Sequence, residues 1–232
     1  MSDWRKTFLA VAPYGAWMLL MFTLPATAVA YAVRTAVSGL LLLVGLALAY
    51  RRGLSPKEPG GLSPDRRGLS PRALSAVAWG LAVGAIVCVL WIYPERFEWY
   101  RSWCIIGDPT PKGPVPCDPA VCGWPLTWTR LFGSAVVIAA AEELFFRGFL
   151  YRRLQARDWG TVPMSRFDLS AFVWTVGLFA LEHNRIFAGA MAGALYGLLA
   201  MRKGLGAAVL AHMTTNLALG LYVIKTGSWA FW

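Results

Sequence analysis

Apolar residues in this chain come in long runs, not in the narrow i, i+3, i+4 stripes of a helix on a soluble core. The runs fall near 8–30, 35–50, 73–93, 130–151, 169–183, 186–201 and 205–224. A membrane-crossing helix needs roughly 17 to 25 predominantly apolar residues, so the pattern predicts an all-α, polytopic transmembrane bundle of about seven spans. The first two spans are divided only by Pro25 and Arg34, which interrupt one long apolar region. The 169–183 and 186–201 runs are short for a hydrocarbon core of about 30 Å, so this pair is expected to tilt or to form a hairpin that stops short of the far face. Residues 1–232 read as a single integral membrane domain whose motif-bearing core covers about 130–224.

Two polar stretches break the runs. From 51 to 72 the chain is rich in Gly, Ser, Pro and Arg, with Gly-Leu-Ser-Pro repeated at 53, 61 and 68. That composition predicts a flexible cytoplasmic loop, with a lipid-headgroup patch as the alternative. From 95 to 129 lies the longest expected extracytoplasmic loop, which holds Cys104, Cys117 and Cys122. In an oxidising compartment two of the three would pair and one would be left over, and unpaired thiols are the other reading. No His or second Cys pair follows Cys117 and Cys122 to complete a zinc site. Trp91, Tyr93, Trp99, Trp103, Trp124 and Trp128 flank the loop as an interfacial aromatic belt would.

Composition narrows the class. The chain is 57% hydrophobic and 15% charged, against about 25% charged residues in a soluble domain. A net charge of +10 would suit nucleic acid in a soluble protein, but in a membrane protein the placement of Lys and Arg matters more than their sum. With the N-terminus inside, 14 of the 22 Lys and Arg fall on the cytoplasmic side. The positive-inside bias therefore predicts a cytoplasmic N-terminus, and no nucleic-acid partner is expected. The first apolar run lacks a convincing small-residue cleavage site and reads as a transmembrane helix, not a removed signal.

Against this apolar background a few polar residues need a reason, since a charge at bilayer depth costs about 2.5 to 3.5 kcal/mol even on lenient scales. Glu142, Glu143 and Arg147 interrupt the fourth run. Glu143 and Arg147 are four apart and can pair on one helical face. Glu142 is turned by roughly 100° from that pair and is left as a candidate general base. His183 closes the fifth run, four residues after Phe179, and His212 and Asn216 lie one turn apart in the seventh. Gly189, Gly193 and Gly197 form a small-residue stripe suited to close helix packing. A carboxylate, two imidazoles and an amide are the parts needed to activate water and stabilise an oxyanion. They are expected to line one polar cavity between the later helices.

In order along the chain, Glu142-Glu143-x-x-x-Arg147, Phe179-x-x-x-His183 and His212-x-x-x-Asn216 resemble the motifs of the CAAX protease and bacteriocin-processing family, the Abi or glutamic intramembrane protease group. The resemblance implies an intramembrane endopeptidase that hydrolyses a peptide bond near the C-terminus or membrane segment of a protein. By that carry-over Glu142 is the general base and His183 helps hold the water. His212 and Asn216 form the oxyanion site, with Glu143 and Arg147 in support. It implies no cofactor, a membrane-protein or lipidated-peptide substrate, and a bacterial inner membrane location. Two alternatives stand beside it. One is a zinc-dependent membrane peptidase, disfavoured because no His-Glu-x-x-His sequence is present. The other is a non-catalytic membrane immunity or scaffold protein. A narrower similarity, carried by Tyr31-x-x-Arg34-Thr35, the Trp-rich loop, Glu182-His183-Asn184-Arg185 and the closing Gly-Ser-Trp-Ala-Phe-Trp232, is to CAAX-protease-related proteins of exosortase sorting systems.

Overall fold

The computed structural model describes residues 3–51 and 70–232. Within them each of the seven apolar runs coincides with a helix, and no strand is present among the described residues. Helix α1 is Asp3–Thr23, α2 is Ala28–Arg51 and α3 is Pro71–Ile92. A nearly continuous helix over 124–155, called here the glutamate helix, follows a short turn of helix at Glu98–Cys104. The bundle closes with the short helix Leu169–Leu181, the glycine helix Ile186–Lys203 and the histidine helix Leu205–Thr226. Residues 52–69 of the expected cytoplasmic linker lie outside the described residues.

Three helices, Ala28–Arg51, Pro71–Arg96 and Leu205–Thr226, are long and apolar enough to cross a membrane. Their outward faces keep Leu40, Leu43 and Leu46 of α2 and Val77, Leu81 and Val89 of α3 exposed. Apolar side chains spread over whole helix faces are what a lipid-facing surface requires. The helix Leu169–Leu181 has 13 residues, about 20 Å at 1.5 Å per residue, and so falls short of a bilayer core of about 30 Å, as its run length implies.

Local chemistry sets the helix ends. Ser70 caps α3 by accepting from the Ala73 amide at 3.3 Å, with Pro71 at the first helical position where its missing N–H costs nothing. Asp168 caps the short helix through the Ala171 amide at 2.8 Å. Gly204, at φ 90°, makes the sharp reversal between the glycine and histidine helices that a residue with a Cβ would resist.

The structure moves three expected boundaries. The break between the first two helices falls at 24–27, so Pro25 makes it and Arg34 sits inside α2. The expected 95–129 loop is shortened, because the glutamate helix already begins at Trp124. His183 is not on its helix, which ends at Leu181; it sits in the turn that follows. All four cysteines carry free thiols. Cys117 is buried, and burial pushes its thiol up, with Arg130 opposing.

Close approach of helices holds the core together. Gly84 of α3 meets the histidine helix so tightly that a Cβ would lie 2.5 Å from the Ala211 carbonyl and 2.6 Å from Thr214 Cβ. The glycine stripe acts as expected: Cβ atoms on Gly189, Gly193 and Gly197 would press on Ala180, Phe179 and Phe172 of the short helix at 3.1 to 3.3 Å. In a membrane, where lipid is as apolar as leucine, such backbone proximity is a main source of helix association.

Candidate active site

The glutamate helix carries its two carboxylates on a short α-helical piece, Ala139–Glu143, between two wider π-helical stretches, Gly133–Ile138 and Leu144–Leu150. π-helical turns inside α-helices occur mostly at functional sites, and here one lies on each side of the acidic pair. Nothing in the apolar run announces them, because Ser-Ala-Val-Val-Ile suits an ordinary helix as well.

Glu143 is fully enclosed and makes the central connection. Its Oε1 accepts from Arg147 Nη1 at 3.0 Å and lies 3.0 Å from His212 Nδ1. Beside an arginine the carboxylate acts as an acceptor, so Nδ1 is the donor and the imidazole is held in one orientation. That leaves Nε2 of His212 turned to Glu142 Oε2, 3.5 Å away. One histidine thus stands between two adjacent carboxylates. The Glu143–Arg147 pair expected from the spacing is present, and His212 joins it to Glu142. Rotating about 100° from Glu143 brings Glu142 to the other nitrogen of the same ring.

Aromatic packing fixes that ring. Tyr196 of the glycine helix stacks on His212 with centroids 4.9 Å apart, and Phe179 meets it edge-on at 5.8 Å. The Tyr196 hydroxyl donates to Thr215 Oγ1 at 2.7 Å, and Thr215 in turn donates to the Gly84 carbonyl at 2.9 Å. Arg147 is held equally firmly: Nη2 donates to the Gly193 carbonyl at 2.8 Å, and its Cζ lies 4.5 Å from the Phe179 centroid. The Gly stripe therefore does more than pack helices, since Gly193 also supplies a carbonyl to the buried arginine.

The other two candidates stand at the edges of this group. His183 places Nδ1 at 2.9 Å from the Phe179 carbonyl and touches the Phe179 ring, the same ring that meets His212. Asn216 donates through Nδ2 to the Ser134 carbonyl at 2.9 Å, so the histidine helix is tied to the first π-helical stretch one turn beyond His212. The chain Glu142, His212, Glu143 and Arg147 is thus connected by direct contacts, His183 joins it through Phe179, and Asn216 braces its flank.

The sequence reading missed Tyr196, Thr215 and Tyr14. Tyr14 of α1 donates to Glu182 and stacks on Phe145 with centroids 4.6 Å apart, which brings the first helix to the mouth of the site. A tyrosine in an apolar helix carries no signal of its own, and only its partner reveals what it does.

Residues 124–218 match the family model described as type II CAAX prenyl endopeptidase Rce1-like. This segment is similar to the Rce1-like family. The motif resemblance is borne out at that level, and the matched segment contains Glu142, Glu143, Arg147, His183, His212 and Asn216. No curated protein and no solved structure gives a match. Helices α1 to α3 lie outside the Rce1-like segment, yet they close its site through Tyr14 and the Gly84 carbonyl. With several apolar helices around that segment, the chain is a multi-pass membrane protein.

Proposed function

We propose that the protein is an intramembrane endopeptidase in which Glu142 activates a water for attack on a peptide bond. The observation that carries the reading is His212, held by Glu143 on one nitrogen and turned to Glu142 on the other. In this reading Glu142 takes a proton from water as the oxygen adds to the scissile carbonyl, then returns it to the leaving amine. His212 positions the Glu142 carboxylate and shares the developing charge. Asn216 has a second amide hydrogen for the oxyanion, and His183 has Nε2 for the attacking water. Glu143 and Arg147 hold the imidazole in place.

The reading uses no metal. Glu143 Oε1 and His212 Nδ1 are committed to each other. The family description supports a membrane-associated protein substrate, and in this reading the cut falls near its C-terminus or a membrane segment. The similarity to exosortase-linked proteins would make that segment a sorting helix. A cytoplasmic N-terminus belongs to the same reading.

The test is Glu142→Gln in purified, membrane-inserted protein. A general base contributes about 10²- to 10⁴-fold, so cleavage should fall by at least about 100-fold while helical content stays unchanged. Substrates would be found by sequencing new C-termini in membranes with and without the protein. Full cleavage by the Glu142→Gln protein would refute the mechanism. Loss of wild-type cleavage on chelation, with zinc in the purified protein, would replace it with a metallopeptidase. An unchanged cellular phenotype in Glu142→Gln would favour a scaffold.

A further inference from the structure

The catalytic group leaves aside a second concentration of charge inside the bundle. Arg34 lies on α2 and Arg130 near the start of the glutamate helix. These helices cross at Gly133, where a Cβ would lie 2.3 Å from Thr35 Oγ1 and 2.8 Å from Tyr31 Cε1. The crossing brings both guanidinium groups to one ring. Arg34 Cζ is 5.1 Å and Arg130 Cζ 4.5 Å from the Tyr31 centroid, and the ring is buried. Trp17 lies 5.8 Å from Arg34 and Trp232 lies 5.0 Å from Arg130.

Among the described residues no carboxylate answers these two charges, and neither arginine forms an ion pair. Near Arg130 lies the Cys117 thiol, a weak acceptor. Arg34 Nε is enclosed and has no hydrogen-bond partner among the described residues. Aromatic faces attract a cation but accept none of the in-plane N–H groups of a guanidinium. Two like charges held together in a partly buried place repel with little screening. A planar, bidentate oxyanion resolves both problems at once.

The position links the pair to the proteolytic site. Arg130 is one turn before Ser134, the residue whose carbonyl holds Asn216, and Asn216 is one turn after His212. On the glutamate helix Arg130 stands twelve residues before Glu142, at most about 18 Å at 1.5 Å per residue, the reach of roughly five to six extended residues at about 3.3 Å each. A peptide lying across Glu142 and His212 therefore carries another of its groups to the arginines. We propose that Arg34 and Arg130 form a carboxylate-binding subsite, which holds an acidic group of the peptide substrate roughly five to six extended residues from the Glu142–His212 contact. The subsite rests on the endopeptidase reading for its occupant. Burial of Tyr31 sets the pair inside the bundle, which favours a peptide group over a lipid headgroup at its rim.

The experiment measures binding, not cleavage, in the full-length Glu142→Gln protein, so a wrong mechanism does not silence it. The protein is placed in phosphatidylcholine nanodiscs. Fluorescence anisotropy compares a dye-labelled, leucine-rich hexapeptide ending in a free carboxylate with the same peptide ending in an amide. The carboxylate form should bind at least about 10-fold more tightly, in line with charge-assisted bidentate pairing. Arg34→Gln and Arg130→Gln should each abolish that preference, and Arg34→Lys should retain part of it. If a glutamine variant loses its helical signal, the comparison is made with Arg34→Lys and Arg130→Lys. Equal binding of the two peptides, or a preference that survives both glutamine variants, overturns the proposal. So does a wild-type protein that retains phosphatidylglycerol through Arg34 and Arg130 yet ignores the peptide carboxylate, because the pair is then a lipid phosphate site.

Discussion

Around Glu143, charge is answered group by group: Arg147 and His212 meet its carboxylate, and Gly193 meets the far side of the arginine. Around Tyr31, two arginines share a ring and face no carboxylate among the described residues. Both regions sit where a glycine lets two helices approach closely, at Gly193 and at Gly133. The difference is that in the first each charge faces an opposite one, although Glu143 Oε2 and Arg147 Nε find no hydrogen-bond partner, whereas in the second two like charges face one ring. A buried network of opposed charges makes a positioning device, whereas two unopposed cations make a site for something else. This is why the first is read as machinery and the second as a place for a substrate group.

Removing one cation from each region breaks the comparison most directly. Arg147→Met strands the enclosed Glu143 carboxylate, and breaking a buried pair costs about 3 to 5 kcal/mol. Denaturant or thermal unfolding in detergent should show that loss, with activity falling as His212 is freed. Gly84→Val drives a side chain into the Ala211 carbonyl and Thr214. Overpacking of that kind costs about 1 to 3 kcal/mol, and the same unfolding assay reads it. Tyr196→Phe removes the hydroxyl to Thr215 but keeps the stack on His212. The cost should be about 1 kcal/mol, with cleavage reduced only slightly. Arg34→Gln should come last, with stability unchanged within about 0.5 kcal/mol, because it relieves a repulsion and breaks no ion pair. A destabilisation by Arg34→Gln as large as that by Arg147→Met would erase the distinction between the regions.

Much of the architecture was legible because membrane insertion forces long apolar runs. The seven runs fell on seven helices, and the Gly189, Gly193 and Gly197 stripe packed as its spacing implies. Boundaries were less legible, since Trp124 to Thr129 suits both an interfacial loop and a helix start, and the chain chose the helix. Site membership was legible in part. Glu143 and Arg147 were paired from their spacing alone, because i and i+4 meet on any helix. Glu142 and His212 are 70 positions apart, and no local rule reports whether two distant helices present their polar faces to each other.

The sequence by itself determined an all-α membrane chain, the approximate place of each helix and the residues with chemistry to offer, because periodicity, length and charge cost act locally along the chain. Only the tertiary structure decided that His212 stands between Glu142 and Glu143, that Phe179 joins both histidines, and that Arg34 and Arg130 share Tyr31. Those contacts depend on which helices cross and how closely. That is set by glycines at the crossings and by the turn of each helix about its own axis, which two π-helical stretches shift in the helix that carries the glutamates.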